Sequence, residues 1–437
     1  MENYLGVGQC SCGKVHDVAI DDVVIGKGVI ARLPEFVKKY GATKPFILAD
    51  CNTFDAAGKR VCEILEAEAM SYSKYVFKEK NLEPDERAVG SAIMYFDKTC
   101  DMIIGVGSGV INDIGKILSN VSGRKYIIVG TAPSMDGYAS ATSSMSMDGL
   151  KVSLNSRCAD VIIGDTEILK NAPAHMLKAG LGDMLAKYVS IAEWRIAHII
   201  TGEYYCDHVA QLIRGALKKC VNNAQGLLLR DEQAVEAVFE GLVIGGIAMA
   251  YAGVSRPASG VEHYFSHIWD MRGLEFGTQV DLHGIQCALG TLQAVKLYEK
   301  MKKTTPNEKI AKAYINDFSF DDWKEQLRSF LGNSAETMIA QETRERKYDK
   351  STHSDRFAII AENWNAILQI LEEELPSYER LQNILDTIGI SGDLQTIGVD
   401  SNIAKLTFKA TKDIRDKYVL SRLAWDLGIL EDLCELL

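Results

Sequence analysis

The chain has 437 residues, 47% of them hydrophobic and 24% charged. This is the balance of a soluble globular protein, which excludes wholesale disorder and leaves room for two or three domains whose cores need no disulfide or metal staple. The net charge of −11 argues against a dedicated nucleic-acid or anionic-membrane binder, because attraction to phosphate needs clustered Lys and Arg and no such stripe occurs.

At the N-terminus, MENYLGVGQC has no basic region followed by an apolar one. No secretory signal is visible, and a cytoplasmic location is the default expectation. Ten cysteines without framework spacing fit thiols in a reducing compartment. Only Cys10, Cys12 and His16 cluster. A paired C-x-x-C partner is missing, so a small zinc site and a plain N-terminal loop stand as alternatives.

From Val23 to Asp165 the runs PFILAD (45–50), MIIGV (102–106), YIIVG (126–130) and VIIGD (161–165) alternate with amphipathic segments of helical period. Runs that are apolar on both faces predict parallel strands covered by helices, an α/β nucleotide-binding domain over residues 1–168. PFILAD ends in Asp50, which suits either the ribose of an adenosine or a helix cap. MIIGV leads into Gly105, Gly107, Ser108 and Gly109, with helix-compatible sequence behind them. Such a turn lets a backbone approach a phosphate at a helix N-terminus. The dinucleotide fingerprint G-x-G-x-x-G is not met, because Val110 occupies the third glycine position. After YIIVG, residues 131–140 are small and hydroxyl-bearing, as befits a loop lying along a cofactor or substrate.

Beyond residue 168 the spacing turns helical, over 178–200, 207–250, 262–271 and 421–437. An all-α domain is predicted for residues 169–437. The run 242–254 is too short to cross a bilayer, which takes about 20 apolar residues, and reads as a buried helix. Asp183 is placed near the start of an apolar helix, either as a metal ligand or as an acid stabilised there and paired with Lys187. Arg256 is a candidate fork for a phosphate or carboxylate, or one half of a salt bridge. Ser259 and Glu262 have the spacing of a capping box that starts a helix just ahead of His263. His263 and His267, at i and i+4, share a helix face, and His283 follows. Three of the eight histidines thus fall within one short stretch, where imidazoles and a carboxylate suit a divalent transition metal. His175, His198, His208 and His353 are expected to be structural or solvent-facing. Residues 303–356, rich in Lys, Glu, Asp and Thr, read as an exposed part of a helical insertion spanning about 300–390.

The strings GVGSGVINDIGK (105–116), TAPSMDGYAS (131–140), GLGDMLAKY (180–188), SRPASGVEHYFSH (255–267) and LHG (282–284) resemble those of the sn-glycerol-1-phosphate dehydrogenases. These belong to the superfamily of metal-dependent polyol dehydrogenases and dehydroquinate synthase, and the inserted length is similar to the bacterial branch. The resemblance implies a dehydroquinate synthase-like fold and the reversible NAD(P)H-dependent reduction of dihydroxyacetone phosphate to sn-glycerol 1-phosphate. It implies Asp183, His263 and His283 as ligands of one nickel or zinc ion, with Asp183 and His267 catalytic. Asp136, Asp183 and His267 would meet the substrate, and Arg256, by its donor fork and not by the resemblance, is the candidate for the substrate phosphate. Asp50, Gly107, Ser108, Gly109, Val110, Ile111, Asn112, Asp113, Thr131, Ala132, Pro133, Ser134 and Ser140 would face NAD(H) or NADP(H). The partner is a phosphorylated small molecule, not a nucleic acid or a membrane, and the family habit is a homo-oligomer such as a dimer. A dehydrogenase for unphosphorylated glycerol or another polyol, a lyase of dehydroquinate-synthase type, and a non-catalytic nucleotide sensor are the competing readings.

Overall fold

The structure is a computed structural model that describes residues 5–147 and 150–437. Residues 1–4, with which the N-terminal stretch MENYLGVGQC begins, lie outside the described residues. Near the N-terminus β1 (Gly6–Gln9) and β2 (Val15–Asp17) form an antiparallel hairpin. Six further strands, β3 (Asp22–Gly26), β4 (Pro45–Asp50), β5 (Ser73–Phe77), β6 (Met102–Gly107), β7 (Lys125–Gly130) and β10 (Val161–Asp165), make one parallel sheet in the order β3-β10-β7-β6-β4-β5. The interpolated β8 (Thr142–Met147) and β9 (Leu150–Asn155) pair as a separate antiparallel hairpin.

Each apolar run identified in the sequence is a strand of this sheet. Every residue of β6 and β10 is buried, as strands covered on both faces must be. On one face Ile47, Ala49, Ile104, Val106, Ile127, Val129 and Ile163 pack with Leu33, Phe36, Val37, Val61 and Leu65. From β4 the chain moves outward to β5 and then returns to the opposite side of β4 to lay down β6, β7 and β10. The direction of winding therefore reverses between β4 and β6, whose carboxyl ends are Asp50 and Gly107. Open α/β sheets bind their ligands at such a reversal.

The chain folds into two compact units, Met1–Met184 with His208–Val254, and Leu185–Asp207 with Ser255–Leu437. This differs from a boundary at residue 168. The first unit keeps most of the helix Ala174–Leu185 and recovers the helices Asp207–Asn222 and Glu232–Ala252, because the sheet needs an apolar cover. Phe239 supplies part of it: a Cβ on Gly164 would stand 2.3 Å from its ring, and one on Gly130 would stand 2.9 Å away. Only glycine at those two strand positions lets the phenyl ring lie so close. The helix Glu232–Ala252 is long and apolar enough to cross a membrane, yet 78% of its apolar window is buried inside the protein, consistent with the buried helix expected there.

The second unit is helical throughout its described elements. The inserted region is not the exposed appendage that its charge suggested. Its helices Phe320–Leu331, His353–Glu362 and Trp364–Glu374 bury Trp323, Leu327, Phe330, Leu331, Phe357, Ile360, Trp364 and Ile367. Polar ties reinforce that packing. Arg356 makes two hydrogen bonds to the carboxylate of buried Asp426, at 2.8 and 2.7 Å, and Trp323 Nε1 donates to Asp413 at 2.6 Å. The strong amphipathicity of these helices had an apolar face to hide, and the charged residues are its solvent side.

Candidate active site

In the first unit the glycine turn and the hydroxyl-rich loop are joined. Thr131 N donates to Gly107 O at 3.1 Å, the hydroxyls of Ser108 and Ser134 meet at 2.6 Å, and Asn112 Nδ2 donates to Gly137 O at 3.0 Å. Tyr138, fully buried, braces the loop by donating to Ala132 O at 2.7 Å, and its hydroxyl reaches the glycine turn at Ser108 Oγ, 3.3 Å away. The glycines have steric reasons of their own. A Cβ on Gly105 would collide with the Tyr126 ring, and one on Gly107 would lie 2.5 Å from Ile111 Cβ. Behind the turn the helix Gly109–Ser122 begins, and Asp113 neutralises buried Lys116 at 2.8 Å. Asp50 acts as a helix cap, its Oδ1 accepting from Asn52 N at 2.8 Å and Thr53 N at 2.9 Å. Ser140 Oγ shares a hydrogen bond with Thr142 Oγ1 at 3.0 Å.

Asp183 is fully buried and sits toward the C-terminal end of the helix Ala174–Leu185, not near a helix start as expected. Helix-dipole stabilisation at an N-terminus therefore does not account for it. Its Oδ2 accepts the backbone N–H of Asp136 at 2.9 Å. One turn earlier, Gly180 brings the helix so close to the loop that a Cβ would fall 1.8 Å from Pro133 O. These two contacts hold the loop 131–140 against the helix that carries Asp183.

The second unit contains the histidines. The helix Val261–Phe276 starts at the expected place, but with Gly260 as its cap and no side-chain capping bond. Ser259 does not cap it; Glu262 alone reaches back, accepting from Gly260 N at 2.6 Å. The same Glu262 Oε1 lies 2.9 Å from His263 Nδ1. His283, first residue of the helix His283–Met301, has its Nδ1 3.0 Å from Ser266 Oγ, and Gln286 Nε2 donates to that hydroxyl at 3.1 Å. Both imidazoles thus have Nδ1 next to a hydrogen-bonding neighbour, so Nε2 is the nitrogen each could offer to a metal. Their ring centroids are 5.0 Å apart, and half-buried His267 lies 6.4 Å from His263 and 5.8 Å from His283.

Cys287 escaped the sequence reading. Its Sγ is 3.5 Å from His283 Nε2, and ligating atoms of His263, His283 and Cys287 all lie within 4.8 Å of one another. Burial raises the thiol pKa, but the two imidazoles outweigh it and leave Cys287 below its ordinary value. The signal was present in the i, i+4 spacing of His283 and Cys287 on one helix face.

Arg256 is corrected from a substrate fork to a structural residue. Nε and Nη2 bind the two carboxylate oxygens of Glu203 at 2.7 and 2.6 Å, and Nη1 donates to Tyr418 O at 3.0 Å. It is 1% exposed, and its fork is already occupied. His353 and His198 find backbone carbonyl partners, Asp426 O and Glu203 O, as the structural reading of both expected.

Beside the histidine helix, Glu193 is buried and accepts from Val261 N, Leu420 N and Tyr298 Oη at 2.9, 2.8 and 3.0 Å. Burial, followed by the Glu262 carboxylate, raises its pKa from 4.5 to about 8. The folded chain therefore holds a proton that the unfolded chain releases above pH 4.5, so this group's contribution to stability falls as pH rises from 4.5 to 8. Glu193→Gln is expected to flatten the pH dependence of the denaturation midpoint across that window. An unchanged profile would place the proton elsewhere.

The sequence model of the family described as iron-containing alcohol dehydrogenase matches residues 24–173. A glycerol-1-phosphate dehydrogenase, NAD(P)+, of Halalkalibacterium halodurans is 32% identical over 295 residues, covering 67% of this chain and 74% of the relative. A protein of the same description from Geobacillus thermodenitrificans is 28% identical over 410 residues, 93% of this chain and 92% of its own. The fold is also that of the glycerol dehydrogenase of Schizosaccharomyces pombe, at a TM-score of 0.61 and 17% identity over 95% of this chain and 90% of the other. With ordered motifs, fold and a relative above 30% identity in agreement, the chain belongs to the glycerol-1-phosphate dehydrogenase family, a family of NAD(P)+-dependent oxidoreductases.

Proposed function

We propose that this protein catalyses the reversible NAD(P)H-dependent reduction of dihydroxyacetone phosphate to sn-glycerol 1-phosphate, using a divalent cation held by Asp183, His263 and His283. The observation that carries the reading is the pair His263 and His283, each with Nδ1 fixed by a second residue, the arrangement that orients imidazoles toward a metal. The donor set fits such an ion: two imidazoles and a buried carboxylate suit nickel and zinc equally. A cation there supplies Lewis acidity to a ketone oxygen and favours the charge developing on it, while the nicotinamide supplies hydride.

The protein's own residues do the rest. Backbone N–H groups at the start of the helix Gly109–Ser122, with Ser108, Thr131 and Ser134, receive the cofactor's phosphates. Asp136 and His267 hold the substrate's hydroxyl, and His267 passes the proton to the nascent alcohol oxygen. Arg256, committed to Glu203, takes no part in binding the substrate phosphate. The family resemblance also carries a homo-oligomeric assembly, such as a dimer.

NADH and NADPH oxidation with dihydroxyacetone phosphate, measured before chelation, after it and after metal add-back, tests the proposal together with chiral identification of the product. Activity should vanish with the metal and return with nickel or zinc. Turnover that survives complete metal removal, or a preference for unphosphorylated glycerol in the reverse direction, overturns it.

A further inference from the structure

The turn that joins β1 to β2 reads Cys10-Ser11-Cys12-Gly13-Lys14. Gly13, at φ +87°, lets the chain fold back so that Gly13 N donates to Cys10 O and Cys10 N to Lys14 O, both at 3.0 Å. A left-handed residue here brings both thiols to the same side of a tight turn. His16 follows on β2, is fully buried, and its ring nitrogen joins them: ligating atoms of Cys10, Cys12 and His16 lie within 4.8 Å of one another.

Two details go beyond proximity. Cys12 Sγ and His16 Nε2 are 3.5 Å apart. Zn–S and Zn–N bonds of about 2.3 and 2.0–2.1 Å at a tetrahedral angle set that edge at about 3.6 Å. The other ring nitrogen, Nδ1, lies 3.2 Å from Tyr251 O; a carbonyl only accepts, so the proton sits on Nδ1 and Nε2 carries the lone pair. A backbone carbonyl behind the imidazole is the outer-shell partner typical of metal-bound histidine.

We infer that Cys10, Cys12 and His16 are ligands of a structural zinc ion that closes the N-terminal hairpin on itself and fixes the His16 ring against Tyr251, near the end of the helix Glu232–Ala252. Thiolate and imidazole donors select zinc over the harder divalent ions, and binding releases the thiol protons to solvent. The ion reinforces existing contacts within the first unit, where Lys14 Nζ donates to Ala252 O at 3.0 Å and the His16 ring stacks on Tyr251 at 5.1 Å. His208, in the same unit, stacks on His16 at 6.1 Å.

The test separates this ion from the catalytic one by using the His263→Ala/His283→Ala chain, purified without added metal and analysed for zinc. One equivalent should remain, and it should be lost when Cys10→Ser and Cys12→Ser are added. Cobalt in its place should give thiolate-to-metal charge-transfer absorption that the serine pair abolishes. Zinc content unchanged by the serine pair, or cobalt without charge transfer, overturns the site. Should the serine pair fail to fold, the histidine-deficient chain decides alone, since absence of zinc from it refutes the inference. None of these readouts depends on dihydroxyacetone phosphate turnover, so failure of the proposed activity would leave the zinc result standing.

Discussion

His263→Ala is expected to yield a protein that loses its catalytic metal on desalting and reduces dihydroxyacetone phosphate with kcat/KM lower by about a thousandfold or more. Lewis-acid stabilisation of the developing alkoxide is worth several kcal/mol, and each 1.36 kcal/mol is a factor of about ten. Asp183→Asn should behave alike, because it keeps the shape but removes the charge that balances the ion. Ser266→Ala supplies the graded comparison. It releases His283 Nδ1 from the hydrogen bond that orients it, and loss of such a partner weakens metal affinity by about 10–100-fold. Elemental analysis after desalting and NADH oxidation measure both effects. Full metal content in His263→Ala would reassign the centre to His283 and Cys287.

Gly180→Ala is expected to be the most damaging methyl group that can be added to the first unit. Its Cβ would lie 1.8 Å from Pro133 O, a backbone atom that no rotamer change can move aside. Either the helix carrying Asp183 or the loop 131–140 must shift. Overpacking of this kind costs about 1–3 kcal/mol, and here the shift also disturbs the hydrogen bond from Asp136 N to Asp183. Thermal unfolding should fall by several degrees, with a raised KM for the nicotinamide cofactor. Gly215→Ala is the control. It lies in the helix Asp207–Asn222 with nothing within 4 Å of the added Cβ, and helix propensity favours alanine there by about 1 kcal/mol. Equal unfolding temperatures and KM values for wild type and Gly180→Ala would show that the close approach constrains nothing.

The parallel sheet was legible because PFILAD, MIIGV, YIIVG and VIIGD are apolar on both faces, a pattern with few alternatives at that length. β5 was not. As an edge strand, SKYVF has an exposed Lys74 and only one buried residue, Phe77, so its sequence carries little of that pattern. The hairpin of β8 and β9 is rich in serine and reads as loop. Local spacing located the start of the histidine helix but misassigned its cap, since a hydroxyl at the right spacing does not reveal where its backbone turns. Arg256 shows the same limit in another form. A guanidinium suits a substrate phosphate and a protein carboxylate alike, and only the fold brings Glu203 to it. Cys287 was not legible because a single cysteine inside an apolar helix reads as a small buried hydrophobe until the fold sets it beside two imidazoles.

The interrupted composition of the first unit bears on synthesis at the ribosome. All six parallel strands have been made by residue 165, but Phe239, which covers Gly130 and Gly164, emerges some seventy residues later. Until then the part of the sheet around Gly130 and Gly164 lacks this cover, although the helix Gly109–Ser122 already packs on β6 and β7, and exposed apolar surface of that kind lets partly made chains associate with one another. A fragment cut at the end of the last strand would inherit that exposure permanently. The segment that a linear reading assigns to a separate helical domain is thus what allows the nucleotide-binding half to become a finished, non-adhesive object.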